Sequence, residues 1–136
     1  QLKRDFPQLT IAINGGIKDS ATVAEQLALV DGVMVGREAY HNPWWLTTWD
    51  EQFFGAAPFA LSHHEIEAHM VAYMQREAAE HGTHWYAIAR HMLGLRHGLP
   101  GARHWRLVWS NHRLKDLPAS EVSHIANTKQ DKNDSF

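Results

Sequence analysis

Apolar residues fall in short continuous runs near the start of the chain and at helical spacing thereafter, and that change predicts its organisation. Leu9-Thr10-Ile11-Ala12-Ile13 is a β-branched run closed by Asn14-Gly15-Gly16, so it predicts a strand followed by a turn that needs permissive backbone angles. Asp19 or Ser20 can cap a following helix, in which Val23, Gln26, Leu27 and Val30 recur at helical spacing. Asp31-Gly32 stops that pattern, and Val33-Met34-Val35 begins a second apolar strand. Strand, helix, strand predicts a parallel pair joined by a crossover, and continuous runs rather than alternation fit a sheet covered on both faces. The second run also ends in glycine, Gly36, followed by Arg37 and a further helical stretch whose later part begins near Pro43 and passes through Trp44-Trp45-Leu46 to about Phe54.

Gly55-Ala56-Ala57-Pro58 is a hinge-like break, and from there the chain reads as helix only, which puts a domain boundary here. Ser62-His63-His64-Glu65 fits a capping box ahead of a helix carrying Ile66, Met70, Tyr73, Met74 and Glu77, which fades toward Gly82. Trp85, Ile88, Ala89, Met92 and Leu93 predict a second helix, ended by Gly94 or Gly98. Pro100-Gly101 opens a third, with Ala102, Trp105, Val108 and Trp109 on one side, and Pro118 suits the first turn of a fourth that carries Val122 and Ile125. The tail from Thr128 is polar and is expected to be disordered.

Composition narrows the function classes. Thirteen Lys plus Arg against fifteen Asp plus Glu give a net charge of −2, so nucleic-acid binding would have to come from a local basic patch. Without cysteine there is no disulfide scaffold, cysteine metal site or thiol chemistry in this chain, and a cytoplasmic location is expected. No apolar run approaches the roughly 18 residues of a membrane span, and the start lacks a signal-peptide core. The chain also begins without Met, which suggests a fragment.

Two constellations can carry function. Asn14-Gly15-Gly16 and Gly36-Arg37 each follow a predicted parallel strand, separated by one helix, which is the placement of a phosphate site at the end of a (β/α)8 barrel. Arg37 would add a charge-assisted contact; the competing reading is a tight turn beside a surface ion pair. From Arg90 to Lys115 the chain holds Arg90, Arg96, Arg103, Arg106, Arg113 and Lys115 with no Asp or Glu. Four histidines (His91, His97, His104, His112) and Trp105 and Trp109 are interleaved with them, the composition that contacts phosphates and stacks on bases. Arg103 and Arg106 share a helical face. The competing reading is a solvated basic face, balanced by the helix bearing Glu65, Glu67, Glu77 and Glu80, with the tryptophans in the core.

No metal is expected. His64 and His69 stand five apart, which separates them by roughly 140° around a helix, and His81 and His84 flank Gly82 without a third ligand. His41, His63 and His124 read as solvent-exposed side chains.

Taken together, Ile13-Asn14-Gly15-Gly16-Ile17, the stretch from Asp31 to Pro43, Arg90-His91-Met92-Leu93-Gly94-Leu95 and Gly98-Leu99-Pro100-Gly101-Ala102-Arg103 closely resemble the C-terminal portion of the tRNA-dihydrouridine synthases, A subfamily. The likeness runs from about Leu9 to Ala126. It implies an α/β fold: the last two βα units of an FMN-binding (β/α)8 TIM barrel (residues 1–55), an all-α helical tRNA-binding domain (56–127) and a disordered tail (128–136). It further implies that Asn14, Gly15, Gly16, Gly36 and Arg37 line the FMN phosphate and that Arg103 and Arg106 grip tRNA, with less specific support for Arg90. In that family NADPH reduces FMN, the flavin passes hydride to C6 of a D-loop uracil (20/20a), and a cysteine protonates C5. Since this chain has no cysteine, it is not expected to catalyse alone, and the complete protein is expected to be a monomer. The alternatives are another phosphate-binding flavin barrel or a free-standing helical RNA-binding module, and further upstream βα units with a cysteine would discriminate.

Overall fold

The computed structural model describes residues 1–128, so the expected disorder of the tail lies outside the described residues except at Thr128, which closes the last helix. Two compact units divide the chain, Gln1–Tyr40 and the part from His41 onward.

The first unit contains α1 (Leu2–Asp5), β1 (Ala12–Asn14), α2 (Ser20–Leu27) and β2 (Gly32–Met34), and leads into α3 (Arg37–His41). The two strands are parallel, pairing Ala12 with Gly32, Ile13 with Val33 and Asn14 with Met34, as the crossover pattern predicts. Pairing starts at Ala12 rather than Leu9 because the preceding segment is held differently. Ile11 N–H donates to the Asp31 carboxylate (2.8 Å), and Lys3 Nζ donates to the Leu9 carbonyl (2.7 Å) while pairing with Asp31 (2.7 Å). The bond from Lys3, then the Ile11 amide, holds the Asp31 carboxyl below its ordinary value. Of the two candidate caps for α2, Asp19 takes the role, accepting from Thr22 N–H (2.7 Å). Val23 and Ile17 are buried, whereas Leu29 is 66% and Met34 50% exposed. A two-stranded sheet has too little surface to cover its own apolar faces.

In the second unit, a 3-10 turn (Pro43–Thr48) continues into α4 (Trp49–Phe54), which ends at Gly55 in the left-handed conformation (φ 65°). The break expected at residues 55–58 is therefore present as a helix end, while the compact units divide upstream of it. The 3-10 turn makes contacts beyond that break: Trp44 stacks on His63 (3.4 Å between centroids, 19°) and meets Phe59 edge-on (5.9 Å). His63 is thus half-buried, not solvent-exposed as its surroundings in the sequence suggest.

The long helix α5 (His63–His81) starts with the capping box: Ser62 N–H donates to Glu65 (2.7 Å), and Glu65 N–H donates to Ser62 Oγ (3.2 Å). Gly82 ends it with φ 66°. The next helix, α6, is only Trp85–Ala89, shorter than its apolar spacing predicts. Beyond it the backbone runs in successive three-residue turns, with Met92 N–H bonding to the Ala89 carbonyl, Leu95 to Met92 and Leu99 to Arg96. These turns still bury Met92 and Leu95. Then follow α7 (Ala102–Trp109), a 3-10 turn (His112–Leu114) and α8 (Ala119–Thr128), with α7 packed on α8 and α5 on both α6 and α8. Trp105, Val108 and Trp109 face the core as expected, and Val122 joins them from α8. Ile125 does not: it is partly exposed, and Ala119 and Ala126 complete the inner face at three- and four-residue spacing from Val122.

Candidate functional site

The parallel register brings the two glycine turns side by side. Asn14 pairs with Met34, so Gly15-Gly16 and Gly36-Arg37 leave the same end of neighbouring strands, about 4.8 Å apart in a regular sheet. Gly15 (φ 115°) and Gly16 (φ 73°) occupy backbone conformations that disfavour any side chain, and a Cβ on either would meet nothing within 4 Å, so the turn is open rather than packed. Gly16 N–H has no acceptor among the described residues. Asn14, Gly36 and Arg37 are exposed as well. Arg37 opens α3, where the first backbone N–H groups lack helical partners, and among the described residues its guanidinium has no carboxylate at ion-pair distance. The tight-turn and ion-pair reading thus loses its ion pair. An open glycine backbone, a helix start and an uncommitted guanidinium are the donor set that a phosphate monoester takes.

The basic stretch divides into an outer and an inner part. Arg103 and Arg106 are exposed on α7, opposite the buried Trp105, Val108 and Trp109, so the helical face shared in the sequence reading is a solvent face. Neither has a carboxylate at ion-pair distance among the described residues. The tryptophans lie in the core and are not free to stack on bases. Arg96 also departs from the expected patch: it is 6% exposed and pairs with Glu67 (2.5 Å), with its guanidinium over the Trp105 ring (5.2 Å). Glu67, read as part of an acidic solvated face, is 1% exposed and accepts also from Trp109 Nε1 (3.1 Å), Ser123 Oγ (3.0 Å) and Asn127 Nδ2 (3.2 Å). The carboxylate-free run is longer than it looks from Arg90. It begins at His81, and so takes in His84 and Tyr86, whose rings stack (5.2 Å, 13°).

Comparison with known proteins gives a consistent result. A family model described as dihydrouridine synthase matches residues 1–130. A tRNA-dihydrouridine(20/20a) synthase of Vibrio cholerae serotype O1 is 47% identical over 122 residues, covering 90% of this chain and 37% of that protein. The corresponding protein of Yersinia pestis is 51% identical over 124 residues, 35% of its length, and that of Escherichia coli K12 is 47% identical over 115 residues, 33% of its length. The chain therefore spans about a third of the length of the curated relatives it matches.

Proposed function

The chain belongs to the dihydrouridine synthase family, and from that membership we propose that it forms the end of an FMN-binding (β/α)8 barrel and a helical domain for tRNA. The protein it is part of would reduce D-loop uridines of tRNA, at 20/20a, to dihydrouridine with NADPH, in the cytoplasm and as a monomer. The observation that carries this reading is the adjacency of Gly15-Gly16 and Gly36-Arg37 at one end of a parallel strand pair, with the glycine turn open and, among the described residues, no acceptor for Gly16 N–H and no carboxylate paired with Arg37. The assignment of residues 1–55 to the barrel and 56–127 to the helical domain is part of the same proposal.

On this reading Asn14, Gly15 and Gly16 bring backbone and amide donors to the FMN phosphate, and Arg37 supplies the opposing charge. FMN, when bound, would supply the hydride for uracil reduction. The residues of this chain would hold the phosphate, and the cysteine that the family uses as proton donor is not among them. Arg103 and Arg106 lie on the outer face of α7 and hold the RNA backbone by charge.

The test is tRNA binding by the intact synthase across a salt series. Replacing both arginines, Arg103→Ala/Arg106→Ala, should weaken binding and flatten the slope of log affinity against log salt by roughly 1.5 to 2, with flavin content unchanged. Unchanged affinity and slope would return both residues to a solvated basic face.

A further inference from the structure

We infer that the helical unit carries a stacking subsite for one unpaired nucleobase, formed by the rings of His84, Tyr86 and His112 one turn beyond Arg106. This rests on the reading that the unit binds tRNA and adds to it a contact of a different physical kind.

The exposed face of α7 runs through Arg103 and Arg106 and reaches Ser110, spaced i, i+3, i+7. Ser110 lies four residues past Arg106, about 6 Å along a helix axis. There it lines a cleft of about 80 Å³ with Tyr86, Arg90, Leu93, Trp109 and His112. Leu93 and the buried Trp109 make an apolar floor, and Arg90 and the rings make the rim. His84 stacks on Tyr86 (5.2 Å, 13°), and the His112 ring lies tilted beside Tyr86 (5.3 Å, 51°), so three flat rings sit together at the surface. His84 and His112 are exposed, while Tyr86 is half-buried and packed on the core, which holds the group in place.

Charge selects the occupant. From His81 through Lys115 there is no carboxylate, and Arg113 stands exposed next to His112 without an ion-pair partner among the described residues. A polyanion already held at Arg103 and Arg106 would pass over this cleft next. Its phosphates would meet Arg90 and Arg113, and a base turned inward would find a ring face. Only an unstacked base offers its own face, so the segment here is single-stranded, and stacking makes the subsite tolerant of base identity.

The experiment compares His84→Ala/His112→Ala with His84→Phe/His112→Phe in the intact synthase, by tRNA binding across a salt series at one fixed pH. The alanine pair should weaken binding about five- to tenfold with the salt slope unchanged, and the phenylalanine pair should restore it. Flavin content should match the unsubstituted protein in both. Wild-type binding by the alanine pair overturns the subsite, and so does a loss that comes with a flatter slope or that phenylalanine fails to restore. If Arg103→Ala/Arg106→Ala weakens binding while the alanine pair does not, tRNA binding stands and the subsite falls. If the intact protein binds no tRNA, both fall. Should the alanine pair fail to fold, cross-linking of the unsubstituted protein to bromouridine-containing tRNA decides: a cross-link at Tyr86 supports the subsite, and cross-links confined to other residues overturn it.

Discussion

Arg96 Nη2 lies 2.5 Å from Glu67 Oε2 in the interior of the helical unit, with both side chains almost wholly removed from water. Attraction inside a protein offsets the large cost of stripping water from two charges only when the remaining lone pairs and protons are also satisfied. Here Trp109, Ser123 and Asn127 supply donors to the other carboxylate oxygen, and Asn127 Oδ1 accepts from Arg96 (2.6 Å), so the carboxylate is fully served while the buried Arg96 Nε has no acceptor among the described residues. The pair is thereby tied to α5, α7 and α8 at once.

Removing one partner should leave a buried charge uncompensated. Arg96→Met is expected to cost about 3–5 kcal/mol of stability. Adding Glu67→Gln should recover part of that loss, because glutamine keeps an acceptor for Trp109 and Ser123 but carries no charge. Urea unfolding of the two single variants and the double variant measures the coupling; simply additive losses would contradict it.

His63 predicts a pH dependence. Burial, and next the nearby Arg96 guanidinium, hold its imidazole below the ordinary value of 6.5. The unfolded chain then takes up a proton at His63 at a higher pH than the folded protein does. Stability is complete above about 6.5 and falls as pH drops below it toward the lowered folded value. His63→Phe keeps a ring against Trp44 and removes the titration, so its urea midpoint should change less than that of the unsubstituted protein between about pH 7.5 and 5.5. Equal pH dependence would assign the effect elsewhere.

Gly94 has no room for a side chain. A Cβ there would lie 2.8 Å from the His41 carbonyl carbon and 2.9 Å from Pro43 Cδ, so backbone would have to move. Gly94→Ala should cost about 1–3 kcal/mol, read as a lowered thermal midpoint. An unchanged midpoint would mean that the approach is easily relaxed.

If the proposed phosphate site is correct, variants at Gly36 and Arg37 should separate folding from cofactor retention. A Cβ at Gly36 would meet Met34 at an ordinary 3.9 Å, so Gly36→Ala should fold normally. In the intact synthase it should nonetheless retain FMN less well, since the added methyl stands where a phosphate would meet the backbone. Arg37→Ala should weaken retention by about 1.5–3 kcal/mol. Flavin absorbance after dialysis reads both, and full retention at matched folding would remove these residues from the phosphate site.

Local chemistry was legible without the structure. Asp19 and Ser62 are caps because the residue types and spacings of caps are local, and the glycine turns follow strands for the same reason. Arg96 and Glu67 were hidden because residue type argues for the surface, and the partner that reverses this stands 29 residues away. The end of α6 was hidden differently. A run of three-residue turns keeps Met92 and Leu95 on the core side, so it imitates the apolar spacing of a continuing helix. Tyr86 is not legible as a surface ring in the sequence, because its partner His112 is 26 positions further on and only folding brings the two together.

The Glu67 carboxylate also ties the final packing to distant parts of the chain. Its partners lie 29, 42, 56 and 60 residues along the chain, whereas helices themselves form from neighbours a few residues apart. Until those distant segments arrive, Glu67 is best left in water, and any compact state that buries it early pays the full cost of an unsatisfied charge. Loosely collapsed arrangements of the same helices are therefore penalised more than the native one. A single ionised side chain acts as a proofreading step, admitting the bundle to its final packing only when α7 and α8 have docked in register.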